Sequence, residues 1–187
     1  MGRQLPVLFD WPSQAILERA ARISLLGLDV DGVLTDGTVW YTADGETVKP
    51  FSILDGLGLR LLGRAGITVA VITARDSEPL HTRARDLGIP HLHTAVSDKL
   101  ATWQELLQQT GTGREAAAYM GDDLVDLRVM RASGMALTVP NAHPALLAHA
   151  HWCARRTGGH GAVREACELI LAARGLLAGI LEQYGDD

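Results

Sequence analysis

The chain is poor in aromatic residues, which make up 5% of its 187 positions, so its core has to be built from aliphatic side chains. Cysteine is scarce as well. Cys153 and Cys167 are the whole complement, with neither a CxxC spacing nor partners for a zinc site. That excludes a disulfide-stapled scaffold and points to two reduced, partly buried thiols in a reducing cytosol. No apolar run approaches the roughly 20 residues that span a bilayer. The opening segment MGRQLPVLFDWPSQAILERAARI lacks the apolar stretch and small-residue cleavage site of a secretory leader. The expectation is a cytoplasmic protein with no membrane partner. Basic charge is also short: 17 Lys and Arg stand against 22 Asp and Glu, a net charge of −5, which argues against a nucleic-acid footprint. It does not argue against an anionic substrate, because a few placed cations override a net charge locally. There is no Walker lysine motif, and the GLG of Gly56–Gly58 lacks the register of a dinucleotide fingerprint.

What is present is ordinary globular composition, 47% hydrophobic and 21% charged, in a length that fits one domain over residues 1–187. Within it we distinguish a lead segment (1–22), a hairpin (38–51) and a C-terminal helix and tail (163–187). Apolar residues at Ala15, Ile16, Ala20 and Ile23 predict a short lead helix. Ile23–Val30 is a continuous apolar run ending in acids and glycine, as a buried parallel strand does. Thr38–Phe51 alternates around Asp44-Gly45, a hairpin turn signal. Further strands are predicted at Ile67–Thr73, Pro90–Thr94, Ala116–Gly121, Met135–Val139 and His151–Ala154. Helices are predicted at Asp55–Ala65, Ser77–Leu87, Asp98–Gln109 and Leu124–Ala132, with a long one at Val163–Leu181 interrupted by Gly175 and Gly179. Strands alternating with helices predict an α/β fold, a doubly wound Rossmann-like parallel sheet with a β-hairpin inserted after the first strand. In such a sheet ligands sit beyond the carboxyl ends of the strands.

Four of those ends carry polar groups. Asp29-Val30-Asp31-Gly32 places two acids on one side of an extended segment before a glycine turn. Side by side and buried, they need a shared cation or proton; as a turn motif they would only cap backbone amides. Thr73 follows the second long strand, where a threonine either caps the next helix or holds a phosphate oxygen. Lys99 falls at a helix start, where a cation is disfavoured. Gly121-Asp122-Asp123-Leu124-Val125-Asp126 gathers acids suited to a hard, oxygen-ligated cation. Taken together, carboxylates, a hydroxyl and a lysine form a cradle for a phosphoryl group beside Mg2+. In it Asp29 would be the nucleophile and Asp31 the general acid and base.

In this order the motifs resemble those of the haloacid dehalogenase superfamily. The segments LDVDGVLTDG (Leu28–Gly37), KPFSILDGLGLRLL (Lys49–Leu62), SDKL (Ser97–Leu100), YMGDDLVDL (Tyr119–Leu127) and GGHGAVRE (Gly158–Glu165) are similar to those of the 3-deoxy-D-manno-octulosonate 8-phosphate phosphatases, over roughly residues 15–180. The resemblance implies Asp29 as nucleophile and Mg2+ ligand, and Asp31 as general acid and base that binds metal through its backbone carbonyl. It implies Thr73 and Lys99 on the phosphoryl group, Asp122 as the second metal carboxylate, and Asp123 and Asp126 as supports of that loop. Ser52, Asp55 and Gly56, with Arg60, Arg75 and Arg83, would face the sugar acid. For each arginine a solvated helix face or an ion pair is the competing reading. The implied reaction is hydrolysis of an eight-carbon 2-keto sugar acid phosphate in lipopolysaccharide precursor synthesis. The implied assembly is a homotetramer in which the hairpin replaces a cap domain. Ala74 and His160 depart from the family pattern, which usually has glycine and arginine there.

Three other readings compete. His91-x-His93, or His143 with His149 and His151, suggests zinc, but no third ligand has convincing spacing and surface or capping histidines fit better. A nine-carbon sialic-type acid phosphate is the alternative substrate. A silent oligomerisation module is expected to lose one of Asp29, Asp31, Lys99 and Asp122, and all four are present.

Overall fold

A computed structural model of the chain describes residues 12–185, so positions 1–11 of the lead segment and the last two residues of the tail lie outside it. It begins with α1 (Gln14–Ala21) and the buried strand β1 (Leu25–Leu28). A two-stranded antiparallel hairpin follows, β2 (Trp40–Thr42) and β3 (Gly45–Val48). Then come α2 (Ile53–Arg64), β4 (Thr68–Ile72), α3 (Glu78–Leu87), β5 (His91–His93), α4 (Lys99–Thr110) and β6 (Ala117–Met120). After a short 3-10 turn at Leu124–Asp126 the chain forms α5 (Leu127–Ala132), β7 (Met135–Thr138), α6 (Pro144–Leu147), β8 (Trp152–Cys153), α7 (Ala162–Ala173) and α8 (Leu177–Gly185).

Six strands pair in parallel in the order β5-β4-β1-β6-β7-β8. The connection from β1 runs outward to β4 and β5, and α4 then carries the chain back to β6. The crevice at the carboxyl end of β1 is therefore a topological switch point, the place where such sheets bind ligands. The doubly wound α/β sheet is as expected, and no cap domain occurs among the described residues. Leu25, Leu26 and Leu28 are fully buried. Gly27 is a packing requirement: a Cβ there would lie 2.6 Å from the Trp103 ring and 2.8 Å from the Tyr119 ring. Those two rings meet edge to face, with centroids 5.5 Å apart.

Several boundaries differ from the sequence reading for local reasons. The hairpin turns at Ala43–Asp44, one residue earlier than expected, and Gly45 opens β3 with φ +96°. The pairing register shifts between Trp40 and Thr42 to accommodate it. The long C-terminal helix is two helices, separated around Gly175 at φ +71°, whereas Gly179 lies within α8. Helix α6 is an addition; His143 caps it, its Nδ1 accepting from the Ala145 N–H at 3.1 Å. No helix among the described residues is long and apolar enough to cross a membrane.

Asp55, one of the residues expected to face the sugar acid, stands in the first turn of α2 with its carboxylate turned inward. It is 1% exposed, and its two oxygens accept the backbone N–H groups of Arg164 (2.7 Å) and Gly161 (3.3 Å) at the start of α7. The helix amino terminus draws the carboxylate inward because its N–H groups have no partner within the helix. Burial raises the Asp55 carboxyl above its ordinary value against those hydrogen bonds. Asp55→Ala leaves both donors buried and unmatched, and a loss of about 1–3 kcal/mol in folding stability is expected. Denaturant unfolding with activity measured in parallel checks this: a falling midpoint with KM near that of the unmodified protein is the expected result.

Candidate active site

Asp29 leaves β1 with its N–H on the Met120 carbonyl of β6 at 3.0 Å. The chain then turns so sharply that the Val30 carbonyl accepts from the N–H groups of Val33, Leu34 and Thr35. Gly32 makes the turn feasible at φ +94°, and a Cβ there would overlap the Asp122 carboxylate. The first acid pair and the Gly121–Asp126 loop are thus pressed together by backbone. On the other side, Thr138 Oγ1 donates to the Gly121 carbonyl (2.7 Å) and the His143 N–H donates to the Asp122 carbonyl (2.8 Å).

Lys99, the first residue of α4, lies between acids from two strand ends. Its Nζ is 2.8 Å from Asp29 Oδ1 and 2.8 Å from Asp126 Oδ1. Burial opposes its charge, but Asp29 and Asp126 outweigh that and hold its pKa above the ordinary lysine value. Asp126 is fully buried and saturated. Its Oδ1 also accepts from the Tyr119 hydroxyl at 3.1 Å, and its Oδ2 accepts from the N–H groups of Asp122 (3.2 Å) and Asp123 (3.4 Å). Asp123 and Asp126 form a reciprocal capping box on the 3-10 turn, so both support the loop.

Asp29, Asp122 and Asp126 bring carboxylate oxygens within 4.8 Å of one another. Burial, then Asp126, raises the Asp29 carboxyl to about 7 against the opposing pull of Lys99. Burial, then Asp126 and Asp123, raises Asp122 to about 7. Asp122 Oδ1 is buried without a hydrogen-bond partner. An orphaned oxygen in an all-oxygen acidic cluster fits a hard divalent cation such as Mg2+. No histidine belongs to the cluster: besides the His143 cap, His151 Nδ1 accepts the Ala136 N–H at 2.8 Å, and His149 contacts Arg131.

Thr73 is 1% exposed at the end of β4, and its Oγ1 accepts the Arg75 N–H at 3.2 Å. It is not the cap of the next helix, since α3 begins after Ser77. The Asp31 side chain points toward the hairpin, where Lys49 Nζ lies 2.5 Å from its Oδ1. Arg75 Nε lies 3.8 Å from Asp31 Oδ2, while Arg75 Nη2 donates to Glu46 (2.7 Å) and Tyr41 (3.1 Å). Glu46 and Lys49 were missed in the sequence. Nothing in the alternating segment GETVK distinguishes a lysine buried against an acid from one in water.

The residues expected around the sugar acid divide. Ser52 caps α2, its Oγ accepting from the Asp55 N–H, and lines a groove with Asp36, Phe51 and His160. Arg83 braces the same turn, donating to the Ser52 carbonyl at 3.0 Å with its guanidinium 6.0 Å from the Phe51 ring centroid. Gly56 is where that guanidinium packs, and a Cβ would collide with it. Arg60 is not brought to the crevice. It lies two turns along α2 and donates to the Asp86 carbonyl at 2.8 Å, because α2 runs away from the strand ends.

Comparisons with known proteins identify the family of the chain. A family model described as haloacid dehalogenase-like hydrolase matches residues 89–165. The 3-deoxy-D-manno-octulosonate 8-phosphate phosphatase KdsC of Yersinia pestis is 47% identical over 164 residues, 88% of each chain. Its counterpart in Escherichia coli strain K12 is 41% identical over 176 residues, 94% of each. The crystal structure of the phosphatase of that name from Moraxella catarrhalis, in complex with magnesium ion, phosphate ion and a KDO molecule, superposes with a TM-score of 0.90 at 39% identity, covering 92% of this chain and 99% of that one. Identity at this level over nearly the full length of both partners means that the chain belongs to the 3-deoxy-D-manno-octulosonate 8-phosphate phosphatase family, within the haloacid dehalogenase-like hydrolases.

Proposed function

We propose that this chain hydrolyses 3-deoxy-D-manno-octulosonate 8-phosphate to the free sugar acid and phosphate, in lipopolysaccharide precursor synthesis. The observation that carries the reading is the buried Lys99 between Asp29 and Asp126, with the unpartnered Asp122 oxygen beside them. Asp29 and Asp122, with the Asp31 backbone carbonyl, would hold Mg2+. When bound, that cation supplies positive charge that offsets the repulsion between an anionic nucleophile and an anionic phosphoryl group. An Asp29 carboxylate oxygen attacks phosphorus to give an aspartyl-phosphate, and the sugar hydroxyl leaves with a proton from Asp31. Water then attacks phosphorus and gives its proton to Asp31, releasing phosphate and regenerating Asp29. Lys99 and the Thr73 hydroxyl hold phosphoryl oxygens through both steps. Arg75 and Ser52 meet the sugar acid at the rim, while Arg83 and Gly56 shape that rim from behind.

We read the whole chain as one phosphatase domain, because strands from residue 25 to residue 153 enter one sheet. We place it in the cytoplasm, consistent with the two free thiols. We also propose a homotetramer, supported by the apolar surface of the hairpin and the start of α2. Trp40, Tyr41, Val48 and Ile53 are 52–81% exposed there, which is unusual for a monomer surface.

Asp29→Asn is expected to abolish Mg2+-dependent phosphate release while the protein still melts cooperatively. A matched screen of eight- and nine-carbon 2-keto acid phosphates tests the substrate, and a higher kcat/KM on the nine-carbon ester overturns it. The raised carboxyls predict a pH dependence. Without metal, Asp29 and Asp122 keep protons in the folded state up to about 7, whereas unfolded aspartates lose theirs near 3.8. Their stabilising contribution is therefore complete below about pH 4 and is lost as pH rises through about 7. The chelated protein should melt lower at about pH 8 than at about pH 5.5, and Mg2+ should raise the melting temperature more at the higher pH, where protons no longer compete. Equal magnesium shifts at both values contradict this. Trp40→Glu is expected to shift a tetramer toward smaller species in light scattering at working concentration. A monomer before substitution refutes the assembly.

A further inference from the structure

The hairpin contributes two charged residues, Glu46 and Lys49, that the reaction scheme leaves unused. Lys49, at the end of β3, has a side chain only 3% exposed, and it bonds to two acids, Asp31 Oδ1 at 2.5 Å and Glu46 Oε1 at 2.7 Å. The other oxygen of Glu46 takes Arg75 Nη2 at 2.7 Å. The Arg75 guanidinium is thereby turned so that Nε faces Asp31 Oδ2 at 3.8 Å, beyond hydrogen-bond reach, and that Nε is buried without a partner. Two cations and two anions alternate, Asp31–Lys49–Glu46–Arg75, and their formal charges cancel.

The two oxygens of Asp31 are therefore not equivalent. Oδ1 is committed to the hairpin lysine, whereas Oδ2 accepts no hydrogen bond and faces only the Arg75 guanidinium, at 3.8 Å. We infer that Lys49 is a positioning residue for the proton transfer: by occupying Oδ1 it fixes the Asp31 carboxyl plane and reserves Oδ2 for the substrate. Glu46 supports it by holding Lys49 and Arg75 on either side. In the first half-reaction the proton moves from Oδ2 to the departing sugar oxygen as the P–O bond breaks. In the second, the attacking water returns a proton to Oδ2. A hairpin anchored for structure alone has no need of this arrangement, since buried ion pairs are commonly replaced by apolar contacts without loss of stability. The hairpin on this account does more than cover the crevice: it sets the geometry of the acid that protonates the leaving group.

The inference rests on the phosphatase reading above, and leaving-group chemistry separates the two. A sugar alkoxide needs a proton to depart, whereas p-nitrophenolate is a stable anion that leaves without one. The parameter kcat/KM reports events up to departure of that group. For Lys49→Met, kcat/KM on the sugar acid phosphate is expected to fall about 10- to 100-fold, with a loss below about 3-fold on p-nitrophenyl phosphate. Lys49→Arg, which restores a donor to Oδ1, should recover most of the difference. Glu46→Gln should show the same leaving-group dependence to a smaller degree, and it carries the comparison if Lys49→Met does not fold. Equal losses on the two esters, or no loss on the sugar ester, overturn the role of Lys49. Failure of the unmodified protein to hydrolyse the sugar ester overturns the functional reading instead.

Discussion

The ammonium of Lys99 is the interaction on which the rest of the site depends. Asp29 and Asp126 come from different strand ends, and each points the same kind of charge into a region closed to water. Two carboxylates held this way repel, and each would retain a proton or move apart. Lys99 lies 2.8 Å from both and turns the repulsion into a bridge. The lysine is itself badly placed by the rules for helices, since it stands at the amino-terminal end of α4 where the dipole opposes it. Asp98 relieves that end by accepting from the N–H groups of Leu100 and Ala101. The tyrosine on Asp126, the tryptophan against that tyrosine and the glycine of β1 beneath both rings extend the same arrangement into the core.

What remains after Lys99 has been satisfied is a deficit of positive charge. Asp122 is raised along with Asp29, and its free oxygen has no protein donor. The site is balanced for a divalent cation and an incoming phosphoryl group, and neither carboxylate is at ease without them. The second acid of the DxD motif lives in a different environment. Asp31 turns to the hairpin and is matched by Lys49 and Arg75. Two aspartates separated by one residue are thus given different partners, as the proposed nucleophilic and proton-transfer roles require.

Much of this was legible in the chain. The alternation of apolar strands with helices repeats a local pattern that needs no knowledge of the rest. The acids after β1 and β6 stand out because a strand that is apolar throughout stops abruptly at them. Other features were hidden. Helix α6 is one turn long and carries no amphipathic period, yet the His143 N–H braces the Asp122 loop. Asp55 sits in a motif segment, and the sequence does not reveal that it serves the start of α7 more than a hundred residues later. Arg60 lies in the same segment, and the sequence does not reveal that its guanidinium meets the Asp86 carbonyl.

The sequence by itself determined the parallel sheet, the order of the strand-end groups and the residue types that suit phosphoryl transfer, because hydrophobic period, turn chemistry and charge are properties of short stretches. Only the tertiary structure decided which oxygen meets which cation. Lys99 chose Asp29 and Asp126, Lys49 chose one oxygen of Asp31, and Asp122 was left open. Those choices follow from burial and from contacts between distant segments. Removing water from a charge makes its partner matter, and the identity of the partner is set by the packing of the whole sheet.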